Sequence, residues 1–176
     1  MDVLDHLTEE HRKVEDLIGR IKETGPGDER SRLFGEIRDA LEVHMAVEER
    51  FLYPLVAEHI GDEQSEDATD EHELTRDGLD SVEQRLEEGA FEDAVEILEQ
   101  GLSHHVSEEE ESIFPALRRQ AKDQLAALDP DELEAKVEDV PDVDLTRDEL
   151  YERARAEDVP GRSSMTKAEL AAALGG

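Results

Sequence analysis

Two stretches of the chain set a carboxylate one helical turn after an imidazole: HMAVEERFLYP at residues 44–54 and HVSEEEESIFP at residues 105–115. Each reads His, then Glu at +4 and +5, then an aromatic residue and Pro at +9 and +10. Positions i and i+4 share a helix face, so His44 with Glu48, and His105 with Glu109, point the same way. His11 and His72 add an imidazole on each preceding segment. All six sit on stripes that are otherwise apolar. Burying two carboxylates and four imidazoles without partners is expensive. A bound metal pair removes the conflict, because carboxylates bridge two cations and imidazoles complete the shells. Mixed His and Glu ligands suit iron, manganese or zinc.

A self-comparison of the chain supports this set. His11 and His72 are 61 residues apart, as are His44 and His105, Glu48 and Glu109, Tyr53 and Phe114, and Pro54 and Pro115. Glu10-His11 is echoed by Glu71-His72. The repeat also selects among the glutamates. Glu108, at +3 from His105, shares its side, but the matching residue in the first copy is Val47, so Glu109 is the expected ligand. Glu49 and Glu110, at +5, fall well round a regular helix and are expected in solvent, with the rest of the Glu108–Glu111 run. His6 and His59 are expected at the surface, and Tyr53 and Phe114 in the core. His104 flanks the set, while the repeat aligns His105.

Helices must position these groups. Leu4, Leu7, Val14, Ile18 and Ile21 recur at three- and four-residue steps, with His11 in the one gap. Leu33, Ile37, Ala40, Val47 and Phe51 do the same around His44. Leu79, Val82 and Leu86 extend a stripe from His72. Phe91, Val95, Leu98, Leu102 and Ile113 share a stripe with His105 and Glu109. Gly25-Pro26-Gly27 is a strong breaker, and Gly61 and Gly89 are weaker ones. Four amphipathic helices with short connections predict an all-α, antiparallel four-helix bundle over residues 1–124. Pro54 and Pro115 fall late in the second and fourth helices and should kink or end them.

The order His, His-x-x-x-Glu, His, His-x-x-x-Glu on such a bundle resembles the hemerythrin-like (HHE cation-binding) domains. EEHRKVEDL, ALEVHMAVEERFLYPLV, DEHELTRDGL and LSHHVSEEEESIFPAL carry the resemblance, which covers roughly residues 1–122. It implies a non-haem di-iron site with Glu48 and Glu109 bridging, His11, His44, His72 and His105 terminal, and a solvent-derived bridge. Oxygen-carrying hemerythrins have two histidines four residues apart on the third helix. Here the neighbours of His72 at that spacing are Ala68 and Arg76. The departure turns the expectation from reversible oxygen carriage toward sensing oxygen, peroxide or nitric oxide, or handling iron. Ferritin-like di-iron proteins need Glu-x-x-His on two helices, and no histidine here has a Glu three residues before it. The His-Glu-x-x-His motif of zinc hydrolases is also absent.

Composition narrows the partners. Fifty acidic residues oppose 19 basic ones, a net charge of −31. That disfavours DNA, RNA and anionic membrane, whose affinity comes from Lys and Arg. Arg (14) outnumbers Lys (5), and this acidic, Lys-poor surface resembles that of salt-adapted (halophilic) proteins. There is no cysteine, so no disulfide or thiolate site forms. The start, MDVLDHLTEEH, lacks a signal pattern, and no apolar run spans a membrane. A cytoplasmic protein is expected.

After about residue 124 the pattern changes. Asp129-Pro130-Asp131-Glu132 predicts a capped short helix, and residues 125–144 hold that helix and a linker around Pro141. LTRDEL (145–150) and MTKAEL (165–170) each predict a helix start, joined by VPGRSS (159–164). Residues 145–176 are similar to SAP-like or Rho N-terminal-like helix-extended-helix modules, several of which bind nucleic acid. Residues 141–176 hold eight acidic and five basic residues, which favours a protein partner.

The leading reading is a di-iron protein that binds or senses a small ligand, favoured over an enzyme. The alternatives are a di-iron peroxidase or ferroxidase, and a metal-free acidic helical protein acting through its C-terminal module.

Overall fold

In a computed structural model of the chain, the side chain of Asp2 accepts the N–H of Asp5 at 2.9 Å, and this cap starts α1 (Val3–Lys22). The structure describes residues 2–138 together with 150, 151, 154, 155, 165, 169, 170, 173 and 174. Helix α2 (Asp28–Val47) follows Gly27, whose φ of +127° favours glycine. Helix α4 (Asp62–Glu83) follows Gly61, and α5 (Phe91–Glu108) follows a tight connection. Antiparallel hairpins α1/α2 and α4/α5 pack together as the predicted four-helix bundle.

The apolar stripes meet in one core of Val14, Ile18, Leu33, Ile37, Leu79, Val82, Phe91, Val95 and Leu98 with their neighbours. At Gly78 a Cβ would lie 3.0 Å from Leu98 Cδ1, so glycine permits the close approach of α4 and α5. The connections are tied at one end by buried Arg30. Its guanidinium donates to the carbonyls of Thr24 (2.7 and 3.0 Å) and Leu86 (3.0 Å), and lies 3.8 Å from the centre of the Phe91 ring. That arrangement satisfies a charge that burial would otherwise penalise.

The expected kinks take a particular form. Residues Glu48–Leu52 and Glu109–Ile113 are π-helical turns, again 61 residues apart. The N–H of Tyr53 bonds the carbonyl of Glu48, and that of Phe114 bonds the carbonyl of Glu109. Each chain then continues as a short helix, α3 (Tyr53–His59) or α6 (Phe114–Gln120), with Pro54 or Pro115 in its first turn. Proline lacks an N–H and its ring clashes with the carbonyl four residues back. A wider turn just before it, with one extra residue, relieves both problems.

Helix α7 (Lys122–Leu125) is followed by α8 (Pro130–Glu138), where Asp129 Oδ1 accepts the N–H of Glu132 at 3.4 Å, as the capping pattern predicts. The chain forms two compact units, residues 1–134 and 135–176. In the second, Leu150, Ala154 and Leu170 are buried together, with Tyr151, Met165 and Leu174 against them. The expected linker around Pro141, the VPGRSS connection and most of the helix-extended-helix lie outside the described residues. Among the described residues there is no strand, and no helix is long and apolar enough to cross a membrane.

Candidate metal centre

Each of the four long helices contributes one imidazole, and each π turn contributes its first residue. His11, His44, His72 and His105 are buried, and Glu48 and Glu109 have no exposed surface. Their inner atoms close into a ring. His11 Nε2 lies 3.1 Å from His44 Nε2, which lies 3.2 Å from Glu48 Oε2. Glu48 Oε2 is also 3.2 Å from His72 Nε2, which lies 3.2 Å from His105 Nε2. His105 Nε2 is 3.5 Å from Glu109 Oε2, which is 3.4 Å from His11 Nε2. Each carboxylate therefore stands between one imidazole of each hairpin. Two overlapping groups emerge, one of His11, His44, Glu48 and Glu109, the other of Glu48, His72 and His105. All six residues singled out by the repeat meet at one place.

A second layer decides what these groups can do. The Nδ1 of every imidazole meets a carboxylate: His11 with Glu110 (2.9 Å), His44 with Glu10 (3.0 Å), His72 with Glu49 (2.9 Å) and His105 with Glu71 (2.9 Å). Nδ1–H donation to a carboxylate fixes the tautomer and leaves each neutral ring's Nε2 lone pair facing inward. The inner ring is then made of acceptors alone. Glu48 Oε1 and Oε2 and Glu109 Oε2 find no hydrogen bond, which is costly for fully buried carboxylate oxygens. Four imidazole nitrogens and two carboxylates, all acceptors, form a donor set suited to divalent cations.

Without a cation, protons are the other remedy. Burial opposes the charge on His44, but the carboxylates of Glu48 and Glu10 outweigh it and hold His44 well above its ordinary range. Burial opposes charge on His105 too, and Glu109, Glu71 and Glu48 raise its pKa overall. Burial would raise Glu48, but His44 and His72 hold it well below the usual carboxylate range.

Glu49 and Glu110 depart from the expectation that they face solvent. Glu49 is 11% exposed and also pairs with buried Arg76 at 2.8 Å, while Glu110 pairs with Arg12 as well as His11. A helix in a bundle has neighbours on two sides, so a residue turned off the inner face meets the next helix. Glu49 reaches α4 and Glu110 reaches α1. The signal was present, since both recur at the 61-residue offset. Ala68 and Arg76, the residues four positions either side of His72, are both buried. His6 is half-buried against Glu134 rather than free in solvent. His104 is exposed, 3.3 Å from Glu71 Oε1, and half-buried His59 lies 3.7 Å from Glu58.

Tyr53 does more than pack. Its hydroxyl lies 2.9 Å from His72 Nε2 and donates to Glu109 Oε1 at 3.2 Å. Burial, reinforced by Glu109, Glu48 and Glu49, pushes its pKa well above the usual tyrosine range, so it stays a phenol. Its counterpart Phe114 stacks on His11 with 6.1 Å between ring centres. At this position the two halves of the centre differ by one hydroxyl.

Residues 2–117 match the family described as Hemerythrin HHE cation binding domain, and the chain belongs to that family. It shares its fold with a hemerythrin HHE cation binding domain-containing protein from Mycobacterium kansasii, solved by crystallography. The TM-score is 0.66 and the identity 22%, over 96% of this chain and 99% of the other. A protein named DNA nickase from Nostoc sp. (strain PCC 7120) is 27% identical over 119 residues, 67% of this chain and 34% of its own. The chain thus spans about a third of that relative's length.

Proposed function

We propose that the chain holds two iron ions, with Glu48 and Glu109 bridging and His11, His44, His72 and His105 terminal, and that the centre binds or senses oxygen or a related small ligand. The observation that carries this reading is the closed ring of buried acceptors, backed by four carboxylates that aim every imidazole inward. Manganese and zinc suit the same donors. When bound, iron would supply redox chemistry and open positions for a small ligand. The protein's part is orientation and proton control. Glu10 and Glu71 raise the basicity of His44 and His105, and Glu49 and Glu110 orient His72 and His11. Tyr53 keeps a proton at its hydroxyl beside His72 and Glu109.

A metal-free role is opposed by the cost of Glu48 and Glu109 buried side by side. For residues 145–176 we propose docking to a protein partner, supported by the eight acidic against five basic residues of 141–176.

The test is the visible spectrum of iron-loaded protein, prepared without oxygen and then exposed separately to oxygen, hydrogen peroxide and nitric oxide. A new charge-transfer band with at least one of them is expected. No response to any of the three contradicts the ligand-binding role. Sustained peroxide turnover that His105→Ala abolishes would place the chain among enzymes instead.

A further inference from the structure

Next to the imidazoles lies a cavity of about 300 Å³. All four ring histidines line it, while neither Glu48 nor Glu109 does. Its apolar walls come from three helices: Val14 and Ile18 of α1, Leu41 and Met45 of α2, and Leu102 and Val106 of α5. Exposed Glu15 and Ser103 also line it, with partly exposed Glu99, so it opens between α1 and α5. Protein interiors are close-packed, and a void of this size among core side chains forfeits stability.

The size matters. A dry apolar cavity of about 150 Å³ already admits benzene, and pockets for small organic molecules begin near 300 Å³. A diatomic ligand would leave most of this space empty. Charge matters as well. At the mouth Glu15 is paired with Arg12 and Glu99 with Lys22, so the bias against an anion comes from the whole chain, which carries −31.

We infer that this cavity binds a compact, uncharged organic molecule, with its hydrocarbon body against the α1, α2 and α5 side chains and a single hydroxyl or hydroperoxyl head toward the four imidazoles. The head's direction rests on the metal-centre reading; the hydrocarbon site does not.

The chain has three methionines, Met1, Met45 and Met165, and among the described residues Met45 lines the cavity. Methyl-labelled methionine in the full chain therefore reports on it directly. Benzyl alcohol and benzoate, equal in shape but not in charge, are titrated into metal-free and zinc-loaded protein while the Met45 resonance is followed. Benzyl alcohol should shift Met45 saturably in both forms and, in the metal-free form, bind at least tenfold more tightly than benzoate. Val106→Phe, which narrows the space, should weaken benzyl alcohol at least tenfold while zinc uptake stays as in wild type. If that variant fails to fold, Ser103→Trp at the exposed mouth serves the same purpose. An unmoved Met45 resonance overturns the inference, as does equal binding of benzoate to the metal-free protein or undiminished binding by the filled variant. Failure of the metal-centre reading shows separately, as absence of zinc and iron uptake.

Discussion

Glu49 has two partners: its carboxylate accepts from His72 Nδ1 and pairs with buried Arg76. Burial raises its pKa, but His72 and Arg76 outweigh that and bring it below the ordinary value. Glu49→Gln keeps the shape and removes the charge, so His72 loses its anionic anchor. Loss of such a supporting group costs about 10–100-fold in metal affinity. Competition with a chromophoric chelator should show a loss of that size, and unchanged affinity would deny Glu49 this role. The metal-free protein should also answer to pH in a definite direction. His44 and His105 are raised above 6.5 by folding, so their contribution is complete below 6.5 and disappears as pH rises through their folded values. Glu48 is lowered below 4.5, so its contribution holds above 4.5 and is lost as pH falls through its folded value. Metal-free protein should therefore melt at higher temperature near pH 6 than at pH 8.5. Metal-loaded protein should show the reverse trend, because acid protonates the ligands and releases the metal. Parallel pH trends in scans with and without chelator would contradict this.

At the scale of elements, the π turns are the feature on which the site depends. They place Glu48 and Glu109 at their first positions and let Pro54 and Pro115 follow without breaking the helix. Pro54→Ala restores an N–H and removes the ring clash, so a regular α turn can compete and rotate Glu49 away from His72. Metal affinity should fall several-fold while helical content by circular dichroism stays constant; an affinity equal to wild type would mean that proline does not maintain the turn. Much of this was legible beforehand. The 61-residue repeat located His11, His44, Glu48, His72, His105 and Glu109, and the three- and four-residue steps located the helices. The π turns were not legible, because periodicity assumes a constant rotation per residue and shows only that Pro54 and Pro115 disturb it. Glu49 and Glu110 were assigned to solvent on a single-helix argument that omits the neighbouring helix. Tyr53 was passed over because an aromatic at a core position is ordinarily apolar filling, and only its placement shows the hydroxyl meeting His72.

For the whole molecule, charge is the dominant property. A net charge of −31 on 176 residues makes the folded chain repel itself. Raising NaCl from about 0.1 M to about 1 M shortens the screening length from about 10 Å to about 3 Å. The melting temperature should rise by several degrees over that range, and a flat response would show that the acidic surface carries no such penalty. The same field opposes binding of the whole chain to a polyanion, which depends on Lys and Arg releasing counterions. The ring of acceptors, by contrast, turns the negative potential to use, since it draws cations toward buried carboxylates.

The most direct measurement is an anaerobic iron titration of the full chain, read as bound iron per chain, in wild type and in Glu48→Ala. The account predicts saturation at about two irons per chain in wild type. Glu48 belongs to both ligand groups, so the variant should lose tight binding at both positions. Saturation at one iron or none, or two irons held equally well without Glu48, would contradict a two-metal centre built on these six residues.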